Sequence, residues 1–210
     1  MTTESQQPQT IEQNGVRLRP LRKTDAPTLF DYLRNPLVTE KTSFPEITIP
    51  MVEAMIARVQ NRWAQGYLSK WGIVRVPTPT ETEDDVLVGT CGFNDWSRPH
   101  GWAEIAFDLA QDQWGKGVMH QAVTALLNWT FAPDQPDQVH RVHGFVRVDN
   151  QRSARLLERL GFVREGCLRS YRNCRGRAHD FFIYGLLRAD WETRLANLAD
   201  PRLFHARRKL

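Results

Sequence analysis

Between Val16 and Leu21 apolar residues alternate with basic ones, and this period of two predicts a strand. Thr24 or Asp25 can cap the helix that follows, in which Leu29, Tyr32 and Leu33 share one face. A second helix takes Pro50 in its first turn, carries the stripe Val52, Met55, Ile56, Val59 and Trp63, and ends at Gly66. The middle of the chain reads as antiparallel strands. Trp71–Val76 is the first, and it runs into VPTPTETEDD, whose prolines and acids exclude a central strand. Val86–Phe93 and Trp102–Leu109 follow, joined by the turn-rich NDWSRPHG. A helix is predicted from Gly117 to Phe131, with Val118, Ala122, Ala125, Leu126 and Trp129 on its apolar face. A strand over His140–Val148 comes next, then a short helix over Asn150–Leu160 that stops at Gly161. Phe162–Leu168 and Asp180–Leu187 close the pattern as two strands around an arginine-rich loop. The order gives seven strands and about four helices, an α/β chain with helices packed on a mixed sheet.

Composition narrows the class. A chain of 210 residues, 41% hydrophobic and 25% charged, is an ordinary globular protein with one core. The start, MTTESQQPQTIEQNG, has neither the basic nor the apolar stretch of a signal peptide, and no run approaches the roughly 18 apolar residues of a membrane span. Cys91, Cys167 and Cys174 are odd in number and at no metal-ligand spacing. A cytoplasmic protein is therefore expected, with no membrane partner. Its divisions would be a flexible segment over 1–14, one domain over 15–190 and a basic extension over 191–210. The net charge of +4 is unevenly spread: Arg164, Arg169, Arg172, Arg175 and Arg177 face only Glu165 in that stretch, and RLFHARRKL is basic again. Such a field attracts anions, unless it is simply a solvated basic face. Nucleic acid is not the expected partner, because the arginines lack regular aromatic interleaving. Monomer and homodimer remain equally open.

The segment from Ala103 to Leu127, AEIAFDLAQDQWGKGVMHQAVTALL, carries the most chemistry. A strand ends near Leu109, and Gly115 and Gly117 lead into a helix whose first-turn N–H groups have no internal acceptor. Donors backed by a helix dipole suit a pyrophosphate, and a tight turn is the plainer alternative. The spacing matches neither the nucleotide-triphosphate loop nor the dinucleotide fingerprint.

Trp114-Gly115-Lys116-Gly117-Val118-Met119 resembles the acetyl-CoA-binding motif of the GNAT superfamily of N-acetyltransferases, Arg/Gln-x-x-Gly-x-Gly/Ala. Trp114 stands in place of Arg or Gln, and Met119 in place of Gly or Ala. Both departures are familiar in the subgroup of ribosomal-protein alanine and serine N-terminal acetyltransferases. LRPLRKTDAPTLFDYL, VGTCGF, VDNQRSARLLERLGFVREGCLRS and DFFIYGLL resemble further segments of that subgroup, in order, from Val16 to Leu187. The resemblance implies a mostly antiparallel GNAT sheet that splays between the strand ending at Leu109 and the strand ending near Val148. It implies acetyl-CoA as acetyl donor. Backbone groups around Leu109 would hold its pantetheine arm, and N–H groups from Gly115 to His120 its pyrophosphate. Lys116 adds a charge there, or is merely solvated. Asn150 resembles the asparagine that contacts the cofactor arm, and it is also a good helix cap.

Acetyl transfer to nitrogen needs a neutral amine, and direct attack on the thioester needs no nucleophilic triad. Glu104, flanked by Ala103, Ile105, Ala106 and Phe107, is the candidate base, because partial burial raises proton affinity; a salt bridge to an arginine is the alternative. The tyrosine that many superfamily members use as acid is replaced by Leu157, and the resemblance points instead to Ser153, three residues after Asn150. A serine in a first turn can equally bond the backbone. For the acceptor, Asn94 and Trp96 in the turn, with Arg172 and Arg175 in the basic loop, are the candidate binding residues. They suit a primary amine on an acidic protein or its N-terminus. A small amine such as a polyamine, and a non-catalytic acyl-CoA-binding module, are the competing readings. His120, His140, His143 and His179 fit no compact zinc pattern, so no metal is expected.

Overall fold

The computed structural model describes residues 8–13, 15–42, 44, 46–75, 86–135 and 137–199. Its strands are β1 (Ile11–Gln13), β2 (Val16–Pro20), β3 (Lys70–Arg75), β4 (Leu87–Ser97), β5 (Trp102–Leu109), β6 (Arg141–Arg147), β7 (Val163–Cys174) and β8 (Arg177–Leu187). The helices are α1 (Ala26–Leu33), α2 (Pro36–Thr39), α3 (Ile49–Ala64), α4 (Val118–Thr130), α5 (Gln151–Leu160) and α6 (Arg188–Ala199). The strands form one sheet in the order β1-β2-β3-β4-β5-β6-β8-β7, antiparallel throughout except where β5 meets β6.

The alternation that defines the strands also builds two cores. On β4, Leu87 joins α1 and α3 in one apolar cluster, while its neighbour Val88 joins α4 and α5 in the other. Adjacent strand residues point to opposite faces, so helices cover the sheet on both sides. Trp71 is fully buried in the larger cluster, edge-on to Trp63 at 4.5 Å and to Trp129 at 5.2 Å.

Several elements go beyond the sequence pattern. Eight strands stand where seven were expected, because Ile11–Gln13, inside the segment expected to be flexible, pairs with β2. The expected arginine-rich loop is instead a long hairpin. β7 and β8 pair out to Cys174 and Arg177 around Arg175 and Gly176, which have φ of +52° and +79° as a tight primed turn requires. A bulge between Leu168 and Arg172 interrupts β7, and Ser170 N there donates to Asp180 Oδ1 at 2.8 Å. α6 begins inside the expected domain boundary, and its Trp191 is buried in the larger core. Trp191 Nε1 donates to Asn128 Oδ1, and Asn128 Nδ2 donates to Gln13 Oε1, both at 3.0 Å, so one asparagine of α4 ties together β1 and α6. VPTPTETEDD and RLFHARRKL lie outside the described residues.

Two buried polar knots brace α1. Arg19 grips Asp25 through two bonds of 2.8 Å, and Arg22 N adds a third to Asp25 Oδ2 at 2.7 Å. Deeper in, Tyr32 Oη donates to Asp108 Oδ1 at 2.5 Å and Thr90 Oγ1 to Asp108 Oδ2 at 2.6 Å, tying α1 to β5 and β4. Burial, and then the charge of Asp108, hold the Tyr32 phenol well above its ordinary pKa.

Asp25→Ala removes the carboxylate that faces the Arg19 guanidinium, in a site where Arg19 is 4% exposed. Urea denaturation is expected to report a loss of about 3–5 kcal/mol. Replacing both partners, as in Arg19→Met with Asp25→Leu, is expected to recover most of it.

Tyr32→Phe removes a donor from buried Asp108 and is expected to cost about 1–3 kcal/mol. Alkali should act on the same bond. With the folded phenol pKa raised above the unfolded value of about 10, the contribution is complete below that value and declines as pH climbs beyond it. A stability profile of wild type against Tyr32→Phe should therefore converge on the alkaline side.

Candidate active site

The site starts where two strands part. β5 and β6 pair in parallel only from Trp102 to Glu104 against Arg141 to His143, although β5 runs on to Leu109 and β6 to Arg147. Gly144 follows the last paired residue of β6. A Cβ there would lie 2.9 Å from Ile105 Cγ2, so the missing side chain lets Ile105 and Leu157 close the base of the fork. Ala110 N donates to Val88 O at 2.9 Å, which sets the alternation on β5. The N–H and C=O groups of Asp108 and Ala106 then face β4, and those of Phe107 and Leu109 face the opening. The Leu109 carbonyl already accepts from Trp114 Nε1 at 3.0 Å.

The opening leads into a cleft of about 420 Å3. Ala106, Asp108, Gly144, Asn150 and Ser153 line one part of it, and Arg58, Arg62, Lys70 and Asn94 another, with Glu104 also in the wall. Among the described residues no three His, Cys, Asp or Glu side chains converge as metal ligands would.

Glu104 is the last residue of β5 paired with β6, so its carboxylate stands at the apex of the fork. It is not isolated among apolar groups. Oε1 accepts from Arg172 Nη2 at 3.2 Å and from Asn94 Nδ2 at 3.4 Å. Asn94 is the bulged residue of β4, between Phe93 opposite Ile105 and Asp95 opposite Glu104. Arg172 follows the β7 bulge, and its guanidinium lies near the rings of Phe145, Tyr171 and Phe181, 4.9–5.6 Å from their centroids. Three of the sequence candidates therefore meet at one oxygen. Trp96 does not join them: it is buried in the core, edge-on to Tyr67 and under Arg98. Arg175 lies at the hairpin tip and donates to Thr39 Oγ1 at 3.2 Å, outside the cleft.

Asn150 caps α5, its Oδ1 accepting from Ser153 N at 3.3 Å. Both residues line the cleft. The Asn150 amide nitrogen and the Ser153 hydroxyl make no hydrogen bond among the described residues, so the cap leaves both groups available. Leu157 is buried at the base of the fork.

At the other side of the fork, Gly117 is the N-cap of α4 with φ of +79°, and no side chain caps the helix. The N–H groups of Val118, Met119 and His120 thus open a helix without internal acceptors, while the Val118 and Met119 side chains are buried beneath them. Gly115, Lys116 and Gly117 are exposed. A Cβ on Gly115 or Gly117 would meet nothing within 4 Å, so the loop needs these glycines for their positive φ and not for want of room. Trp114 pins the loop from below through its bond to Leu109 O, with the Arg152 guanidinium stacked 3.4 Å from its ring. The His120 imidazole is half-buried; burial first, then Arg194 and Arg159, lower its pKa.

The sequence pattern did not single out Lys41, Arg58, Arg62, Lys70 or Arg147, all in the cleft wall, nor the buried Asp108. Lys41 lies in the turn after α2, and the others lie on elements whose apolar stripe is their only regular signal.

Residues 16–163 match the family described as "Acetyltransferase (GNAT) domain". The uncharacterized N-acetyltransferase p20 of Bacillus licheniformis is 30% identical over 184 residues, 87% of this chain and 98% of the relative. The ribosomal protein uS5-alanine N-acetyltransferase of Escherichia coli is 28% identical over 112 residues, 53% of this chain and 56% of the relative. RimL, a ribosomal L7/L12 alpha-N-protein acetyltransferase solved with coenzyme A, shares the fold with a TM-score of 0.74 at 21% identity, over 85% of this chain and 98% of that one. The chain belongs to the GNAT superfamily as an acetyl-CoA-dependent N-acetyltransferase related to the ribosomal-protein N-terminal acetyltransferases.

Proposed function

We propose that this enzyme acetylates the N-terminal amine of a protein, with Glu104 accepting the amine proton. The observation that carries this reading is the position of the Glu104 carboxylate, at the apex of the β5–β6 fork and in the wall of an open cleft. The names of the uS5-alanine N-acetyltransferase and the L7/L12 alpha-N-protein acetyltransferase support the same acceptor.

The residues present fit the donor. Bare N–H groups at the start of α4 suit a pyrophosphate, and the free strand edge at Phe107 suits the amides of a pantetheine arm. Acetyl-CoA would be held by Gly115 to His120, by the edge of β5 up to Leu109 and by Asn150, and when bound it supplies an acetyl thioester. Trp114 sets the loop, and Lys116 adds a charge at its rim. On this chain, Glu104 Oε2 receives the proton, directly or through a water, while Asn94 and Arg172 hold Oε1 and keep the carboxylate oriented. Ser153 Oγ can donate a hydrogen bond to the departing thiolate. An α-amine, with a pKa of about 7.7–8.0 against about 10.4 for lysine, gives far more neutral nucleophile near pH 7. A polycationic small amine suits the cleft poorly, because Lys41, Arg58, Arg62, Lys70, Arg147 and Arg172 all line it. A cytoplasmic setting agrees with the free thiols of Cys91, Cys167 and Cys174.

Gly117→Val forces a β-branched residue to φ of +79°, and coenzyme A affinity by calorimetry is expected to fall by about tenfold or more as the N–H array distorts. Gly15→Val imposes similar strain at φ of +81° in the β1–β2 turn and should leave that affinity intact. Equal affinity in both variants would remove the donor from this loop.

The acceptor is tested by coenzyme A release with N-terminal peptides, polyamines and aminoglycosides. Peptides are expected to turn over best. On the best peptide, Glu104→Gln should lower kcat by about 10²- to 10⁴-fold, with partial recovery at high pH where more of the amine is already neutral. A variant with wild-type rates at every pH would leave Glu104 a purely structural partner of Arg172.

A further inference from the structure

The cations of the cleft fall into two sets. Toward the fork and the hairpin, each has a partner. Arg147 grips Asp149 through bonds of 2.6 and 2.7 Å and donates to Glu40 O at 2.8 Å. Lys41 Nζ donates to Asp149 O at 3.2 Å, and Arg172 pairs with Glu104. Away from the fork, on α3 and the start of β3, the cleft is lined by Arg58, Arg62 and Lys70. Among the described residues no carboxylate lies within ion-pair distance of any of these three.

Their placement follows from the secondary structure. Arg58 and Arg62 are one turn apart on α3, where residues four apart share a face. Lys70 opens β3 beside them in the same wall. Arg62 is partly committed: Nη2 donates to Leu68 O at 3.3 Å, and the guanidinium lies 5.6 Å from the centre of the Tyr67 ring. Its Nε is nonetheless buried without an acceptor. The Arg58 and Lys70 side chains donate to no group among the described residues. Like charges crowded onto one wall repel, and a concave site focuses their field into the space that the acceptor would enter. The nearest carboxylates of the cleft are already engaged, Glu104 with Arg172 and Asn94, and Asp108 with Tyr32 and Thr90.

We infer that Arg58, Arg62 and Lys70 form an anion subsite that selects acceptor polypeptides carrying an aspartate or glutamate within a few residues of the amine. This rests on the protein-acceptor reading above. A carboxylate side chain there supplies the missing counter-charge. The same cations act on the amine itself, since positive neighbours disfavour the ammonium form and so raise the fraction able to react. An N-terminus rich in lysine is repelled by the same wall.

The test compares two peptides that differ only at positions two and three, Asp-Asp against Asn-Asn. It uses the full chain and follows both coenzyme A release and calorimetric binding of the peptides to the coenzyme A-loaded protein. The acidic peptide is expected to be favoured on the order of three- to tenfold in kcat/KM and in Kd, the scale of one or two partly exposed charge pairs, with the ratio shrinking as salt is added. Arg58→Gln combined with Lys70→Gln should collapse the ratio toward one, and Arg58→Lys should retain it. Arg62 is left in place because its bond to Leu68 O also supports the fold. A ratio near one in the natural protein, or a ratio unmoved in the double variant, overturns the subsite while leaving protein acetylation standing. If no peptide is acetylated while a small amine is, the protein-acceptor reading falls and this inference falls with it.

Discussion

The pairing of β5 with β6 lasts from Trp102 to Glu104 and then ends, and most of the site is a consequence of that ending. A parallel ladder that continued would satisfy the strand edges and close the sheet. Because it stops, backbone groups at Phe107 and Leu109 are left facing an opening, and the side chain at the last paired position stands at its apex. The closure behind the fork is equally specific. Gly144 lets Ile105 and Leu157 meet where any side chain would wedge the strands further apart. The opening is thus held at one width by packing on the core side, with no need of a rigid loop.

Charge in the cleft is organised by the same geometry. Bulges on two strands that are far apart in sequence, at Asn94 on β4 and before Arg172 on β7, turn both side chains onto Glu104. The guanidinium is further confined among Phe145, Tyr171 and Phe181, so its orientation costs little additional entropy when it binds a carboxylate. Asp108, two residues beyond Ala106 on the same strand, is kept out of such chemistry by its own pair of hydroxyl donors. Neighbouring acids on one strand therefore have different work: one is presented to the cleft and the other fastens α1 to the sheet.

The order of elements was readable because their apolar periodicity is strong, and the Trp114–Met119 motif pointed to the family that residues 16–163 match. What stayed hidden shares a physical cause. β7 is exposed along most of its length, so it has no apolar alternation to read, and its turn uses Arg175-Gly176 where Asn-Gly would have signalled a hairpin. Trp96 was expected in the acceptor groove, as an aromatic beyond a strand. The bulge at Asn94 shifts the alternation by one residue, exposing Asp95 and burying Trp96. Tyr32 reads as part of an apolar stripe, and nothing local reveals that its hydroxyl meets an aspartate 76 residues away. Contacts made through bulges and across long separations leave no trace in periodicity.

Asn128 bonds both the first strand and the last helix, and this bears on how the chain folds as it is made. α4 packs against β1 and β2, which precede it in the chain, but its contact with Trp191 waits for residues made much later, as the 63-residue separation of Asn128 and Trp191 requires. β8 too must emerge before β7 has any partner on the sheet and before β6 gains its second. Long-range pairings of this kind are formed late and slowly. A chain cut short within α6 would therefore present α4 without the clamp that joins β1 to α6.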